Sequence, residues 1–340
     1  MRLLMVAGVV VLLWLLYQAR AVILVMLAAL VVAVMLTGLA SKLNQILPWD
    51  NSKGLYRACL AVVCLFILGI FVGLGFLIGP RVAEDVEQIE QSIPKAVEKL
   101  QELLIIGDLM QRDEGVISKE TAASLWQGVS GKAMEVAQGF VMGVSWFVLV
   151  IFLSIFGAAQ PDLYRRGMVS LFPPSQREAA DGHLRACFRA LWRWLTAQGF
   201  AMLVIAVLTM LGLWLVGMKF AITLGLIAGL LQFIPHLGPL LSSIPALLVA
   251  LTVSPIMVLW VAIVYAVIQL LESDLITPMI MEGHADLPPV ITLLSAVVGG
   301  LIFGPLGVVI AVPTAVLLLT LYQRLYQQEL LGLDVPSPGD

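Results

Sequence analysis

Apolar positions along this chain come in long blocks, not in the alternation of a half-buried strand or the narrow stripe of a surface helix. The blocks run over roughly 3–17, 21–40, 56–79, 139–159, 199–218, 220–253, 255–281 and 287–322. Several are near or above the ~18–20 residues that cross a bilayer, so the pattern predicts an all-α, polytopic membrane helix bundle with about eight membrane segments. The first is short and relies on Arg2 and Arg20 reaching the interface. The sixth and eighth are too long and too broken for single straight helices. A run of 34 residues would measure ~50 Å as an α-helix, against a hydrocarbon core of ~30 Å.

At the amino terminus, Arg2, the apolar run Leu3–Tyr17 and Ala19-Arg20-Ala21 have the order of a signal peptide. A second apolar run, 21–40, follows at once, and the reading adopted is an uncleaved helical hairpin turned at Gln18–Arg20.

The polar intervals sort by charge. Lys42, Lys53 and Arg57 lie between the second and third blocks against Asp50, and six arginines (165, 166, 177, 185, 189, 193) lie between the fourth and fifth. The interval 80–138 holds eleven acidic and six basic residues. Basic loops stay cytoplasmic, which places 40–57 and 160–198 inside, 80–138 outside and both termini in the cytoplasm of a bacterial inner-membrane protein. The expected organisation is an amino-terminal membrane region (1–79), an extracytoplasmic helical insert (80–138), a fourth span (139–159), a cytoplasmic amphipathic segment (160–198), a carboxy-terminal transport core (199–325) and a tail (326–340). Within the insert, Val82, Val86, Ile89 and Ile93 mark one helix face; Pro94 is expected to restart a second helix, and Ser118 to cap a third. In the cytoplasmic segment, Ser175 and Glu178 have capping-box spacing. Arg185, Arg189 and Arg193 then line one face beside Trp192 and Trp194, which predicts a basic, aromatic interfacial helix at anionic lipid.

Composition agrees with the pattern: 61% of the 340 residues are hydrophobic and 12% charged, against about a quarter charged in soluble domains. The net charge of −3 comes without any basic cluster suited to nucleic acid. Cys59, Cys64 and Cys187 are too few and scattered for a disulfide framework or zinc site. His183, His236 and His284 lack metal-ligand spacing, and no catalytic His-Glu-x-x-His, Gly-x-Ser-x-Gly or nucleotide-binding loop occurs. No enzyme activity, metal or cofactor is expected.

Chemistry concentrates in the last third. Phe233-Ile234-Pro235-His236-Leu237-Gly238-Pro239, then Ser242-Ser243 and Pro245, interrupts the sixth block; Phe303-Gly304-Pro305-Leu306-Gly307, then Pro313, interrupts the eighth. Proline removes a backbone donor, and irregular backbone in a bilayer is tolerated only against protein or a water-filled cavity. Broken or re-entrant helices near 233–245 and 303–313 are therefore predicted, and such pairs point to a transporter's binding site. The alternative is two helices kinked for close packing. Between the breaks, Gln269, Ser273 and Thr277 share a helix face, Glu272 lies beside it, and Asp274 points about 160° away from Glu272. An acid at membrane depth is costly and usually functional, unless both acids sit in headgroup water at a helix end. The expected substrate or ion pathway comprises Pro235, His236, Gly238, Pro239, Ser242, Ser243, Gln269, Glu272, Asp274, Gly304, Pro305 and Gly307.

The motifs Ile234–Pro239 with Ile244-Pro245, Glu272 through Pro278, Leu287-Pro288-Pro289, Val298–Gly307 and Ala311-Val312-Pro313 resemble those of the autoinducer-2 exporter-like transporters of bacteria. The first half matches by layout: an amino-terminal hairpin, an extracytoplasmic insert and an arginine-bearing segment. His236 stands where the family commonly has tyrosine, and Leu287-Pro288-Pro289 departs from its single residue before proline. The resemblance implies an exporter-like protein; members are linked to signal-molecule efflux or to sodium or lithium/proton antiport, and to homo-oligomers. A secondary transporter of a small molecule or ion, in contact with membrane lipid, is the leading expectation. A channel-like or scaffolding membrane protein without coupled transport is the rival.

Overall fold

The computed structural model describes residues 18–46, 53–106, 146–235, 237–276 and 288–330. Among them every regular element is helical. The elements are α1 (Arg20–Ile46), α2 (Lys53–Ile106), α3 (Trp146–Ala159), α4 (Pro161–Ser170), α5 (Arg177–Leu215), α6 (Ala221–Leu231), α7 (Leu237–Val253), α8 (Pro255–Leu271), α9 (Pro289–Phe303) and α10 (Pro305–Tyr322). Among the described residues, five helices are long and apolar enough to cross a membrane, or six if α3 and α4 form one bent span. Helices α6, α7 and α9 are apolar but shorter, and the expected first segment 3–17 lies outside the described residues.

The surface confirms the solvent. Phe66, Phe76, Leu77, Leu203, Trp214 and Leu301 are exposed, as suits side chains that face lipid tails. Burial instead selects small residues, such as Ala40, Ala158, Ala190, Ala246 and Ala250, because helices in lipid associate through close backbone packing rather than a hydrophobic driving force.

The contacts divide into two units. Unit 1 comprises α1, the start of α2, α3, α4, α5 up to Gln198, α9 and α10; unit 2 comprises α2 from Ile70, α5 from Gly199, and α6 to α8. In unit 1, Leu36, Ala40, Leu60, Val63 and Ala158 form a core. Two hydrogen bonds staple it: Ser154 Oγ donates to the Ala29 carbonyl at 3.1 Å, and Tyr56 Oη to the Ala158 carbonyl at 2.8 Å. Trp192 packs over Gly38, where a Cβ would strike the indole, and the Lys42 ammonium stands 5.7 Å from the Trp192 ring centroid. In unit 2, Leu213, Phe220, Leu224, Ala246, Val249, Ala250 and Val261 pack together with Ile89 of α2.

Two sequence expectations are corrected. Helix α2 does not restart at Pro94: it runs unbroken for 54 residues, through Pro80 and Pro94 to Ile106. Its buried Ile89 and the Asp85 and Gln88 bonds described below give this stretch tertiary support that can outweigh a proline's cost. Ser118 lies outside the described residues. The arginine-bearing helix is not a separate interfacial element, because it continues into the fifth apolar block as the single 39-residue helix α5. The element that turns sideways is α4, which meets α3 at 84° around Gln160.

Candidate functional site

Both Pro/Gly motifs interrupt helices, and each forms a hairpin. Helix α6 ends at Leu231, the chain turns through 232–235, and α7 begins at Leu237. A Cβ on Gly238 would lie 2.8 Å from the Gln232 Cα, so the two limbs touch at the turn. They touch again at the far end, where Leu224 of α6 shares a core with Ala246 and Val249 of α7. In the second motif the break is one residue. Gly304 has φ 70°, a conformation L side chains rarely adopt, and Pro305 then starts α10. A Cβ on Gly299 would fall 2.5 Å from the Gly307 carbonyl oxygen and 2.9 Å from the Ala311 Cβ. Eight residues of straight helix span ~12 Å, so this proximity requires α10 to fold back along α9. Pro245 and Pro313, by contrast, sit inside α7 and α10.

The first hairpin is seated by a second small-residue device. After the turn at Gly217 (φ 78°), α6 runs back along α5. Gly225 and Gly229 of α6 face it: Cβ atoms there would lie 2.7 Å from the Met210 Cβ and 2.5 Å from the Ala206 Cβ. Thr223, fully buried, donates to Asp85 Oδ2 of α2 at 2.5 Å, and Lys219 Nζ donates to Gln88 Oε1 at 2.8 Å. Tyr265 of α8 donates to the Ser242 carbonyl at 3.1 Å, in the turn that the ring of Pro245 crowds.

Polar chemistry meets at the turn between α6 and α7. Helix α8 starts cleanly at Ser254-Pro255, with Ser254 Oγ accepting from the Met257 amide at 3.2 Å. It ends by widening into a π-helical turn, Glu272–Ile276. That widening, a common mark of functional sites, begins at Glu272, whose side chain is buried. Gln232, the residue that follows α6, is also buried, and its Nε2 donates to Glu272 Oε1 at 2.6 Å. Asp274 is exposed, as its opposite helical angle requires.

The sequence-derived pathway residues therefore separate. In unit 2, Pro235, Gly238, Pro239, Ser242 and Ser243 lie in or just after the first turn. The hydroxyls of Ser242 and Ser243 donate to carbonyls of their own helix, Pro239 and Leu240. Gln269 is exposed, and its carbonyl accepts from Ser273 Oγ at 2.5 Å. Gly304, Pro305 and Gly307 belong to unit 1. His236 and Thr277 lie outside the described residues. Sequence reasoning missed Gln232, although a lone amide in the apolar run 220–253, directly before the break, was a visible signal. Among the described residues, no three His, Cys, Asp or Glu side chains gather as a metal site.

Comparison with known proteins fixes the class. The chain is similar to the candidate transport proteins YrrI of Bacillus subtilis (27% identical over 290 residues, 81% of this chain and 80% of the relative) and MT0215 of Mycobacterium tuberculosis (26% over 323 residues, 92% and 85%). It is also similar to YhhT of Escherichia coli K12 (21% over 318 residues, 92% and 87%). These relatives are named for transport, not catalysis. The model of the AI-2E family transporters matches residues 3–327, so the resemblance read from the carboxy-terminal motifs holds over nearly the whole length, and this multi-pass membrane transport protein belongs to the AI-2E transporter family.

Proposed function

We propose that the chain is a secondary transporter of the bacterial inner membrane, working as a homo-oligomer. It exports a small solute or exchanges a cation for protons, with Glu272 as the coupling group. The observation that carries this reading is the buried Gln232–Glu272 hydrogen bond at a helix break. A buried carboxylate beside a helix break is the kind of group that takes up and releases a proton or a cation in a transporter. The 11 residues of α6 measure ~16 Å, about half the hydrocarbon thickness, which suits a turn at membrane mid-depth. A hairpin whose backbone groups are freed there can line a solute path.

The orientation proposed has both termini in the cytoplasm. Its support is that Tyr56 and Arg57 of the basic interval 40–57 and Asp162 and Arg166 of 160–198 line one cavity in unit 1, as loops on one side must.

The test is flux in proteoliposomes of the full chain under imposed proton, sodium or lithium gradients, with a panel of small solutes. Gradient-driven flux is expected for the natural chain and Asp274→Asn, and its loss for Glu272→Gln. Unchanged, pH-dependent flux in Glu272→Gln would overturn the role of Glu272. Flux in the natural chain that ignores every gradient would favour a channel.

A further inference from the structure

Unit 1 contains a polar cavity of about 550 Å³ where the end of α1, the start of α2 and α4 converge. Its walls include Ser41 and Asn44 of α1, Tyr56 and Arg57 of α2, and Asp162 and Arg166 of α4. We propose that this cavity binds a phosphate group, and that the natural source is the headgroup of an anionic phospholipid.

The charge count favours an anion. The Asp162 carboxylate is engaged by Arg165, 3.2 Å away, and Arg165 is bridged in turn to Asp181. Arg166 spends only its Nε on the Asp162 backbone carbonyl, at 3.1 Å. Arg57 meets no carboxylate among the described residues. Two guanidinium groups thus face the cavity with charge to spare, and their planar forks suit phosphate oxygens. The amino-terminal turns of α2 and α4 also end there, where the helix dipole favours negative charge.

A separate observation points to lipid as the source. Around this cavity the apolar helix α3 gives way to α4 at 84°, and Leu163, Tyr164, Leu171 and Phe172 on and just after α4 are exposed. A short helix with arginines on one part and bare apolar side chains on another lies in the membrane interface. Leu163 also lines the cavity, so acyl chains can lie against α4 while the phosphate reaches Arg57 and Arg166.

The experiment measures binding of short-chain phosphatidylglycerol and of inorganic phosphate to the detergent-purified full chain, by thermal shift. Arg57→Gln and Arg166→Gln should each weaken phosphatidylglycerol binding about tenfold. Arg189→Gln, which removes an exposed arginine from α5 outside the cavity, should leave it unchanged. Binding of both probes, or of phosphatidylglycerol alone, supports the lipid site; inorganic phosphate alone overturns the lipid source. Binding insensitive to Arg57 and Arg166, or reduced equally by Arg189→Gln, overturns the site. Hydrogen exchange on the unmodified chain provides an arm that needs no variant: phosphatidylglycerol should protect amides in 54–57 and 161–166, and absence of protection there overturns the proposal.

Discussion

Gln232→Leu removes the amide that donates to Glu272 at 2.6 Å while leaving a side chain of similar volume. Leaving a buried group without its hydrogen-bond partner costs about 1–3 kcal/mol, and both partners are buried, so water cannot replace the lost donor cheaply. The single substitution should cost ~2 kcal/mol of stability, and Glu272→Met a similar amount by stranding the amide. Replacing both partners with apolar groups removes the unsatisfied atoms together and should be nearly neutral. The double variant should therefore lie within about 1 kcal/mol of the natural chain, giving a coupling of about 3–4 kcal/mol in a double-mutant cycle. Thermal unfolding of the four proteins in nanodiscs reads this directly. Strictly additive single costs would refute the hydrogen bond. The same four proteins separate structure from function: the double variant should be folded and without gradient-driven flux.

Gly229→Val should lower the melting temperature by an amount equivalent to ~1–3 kcal/mol, since its Cβ would lie 2.5 Å from the Ala206 Cβ; Gly69→Ala, with nothing within 4 Å, should be neutral or slightly stabilising. Gly304→Ala should cost about 1–3 kcal/mol, because φ 70° is strained for any side chain, and unfolding in nanodiscs measures it. Thr223→Val keeps the shape of the side chain but removes the donor to Asp85; hydrogen exchange should rise in 85–92 of α2, and no change would mean that this contact does not hold α2.

The membrane class, the broken blocks and the opposed directions of Glu272 and Asp274 were legible because each follows from local pattern: block length, Pro/Gly position, helical angle. The Gly225–Gly229 repeat was equally local, yet its role depends on Met202 to Met210 approaching from another helix, which no periodicity announces. The Asp85–Thr223 pair joins positions 138 residues apart and has no sequence signature at all. Pro94 misled because proline's cost in a helix is a prior that tertiary contacts can override. The arginine stripe misled differently: basic residues flanking a span look alike whether the helix lies flat or continues inward, and only the unbroken length of α5 distinguishes them.

The hairpins also carry a consequence for biogenesis. An 11-residue helix such as α6 is too short to partition into the bilayer as an independent span, so it must enter paired with α7 and against something already there. Synthesis order supplies the platform: α5 is made just before α6, and its Met202, Ala206 and Met210 are where Gly225 and Gly229 dock. The second hairpin is made well after the first, yet the cavity it lines is shared with Leu24 and Leu27 of α1, the earliest helix described. Helix α1 must therefore keep that face open to lipid until α9 and α10 have been made.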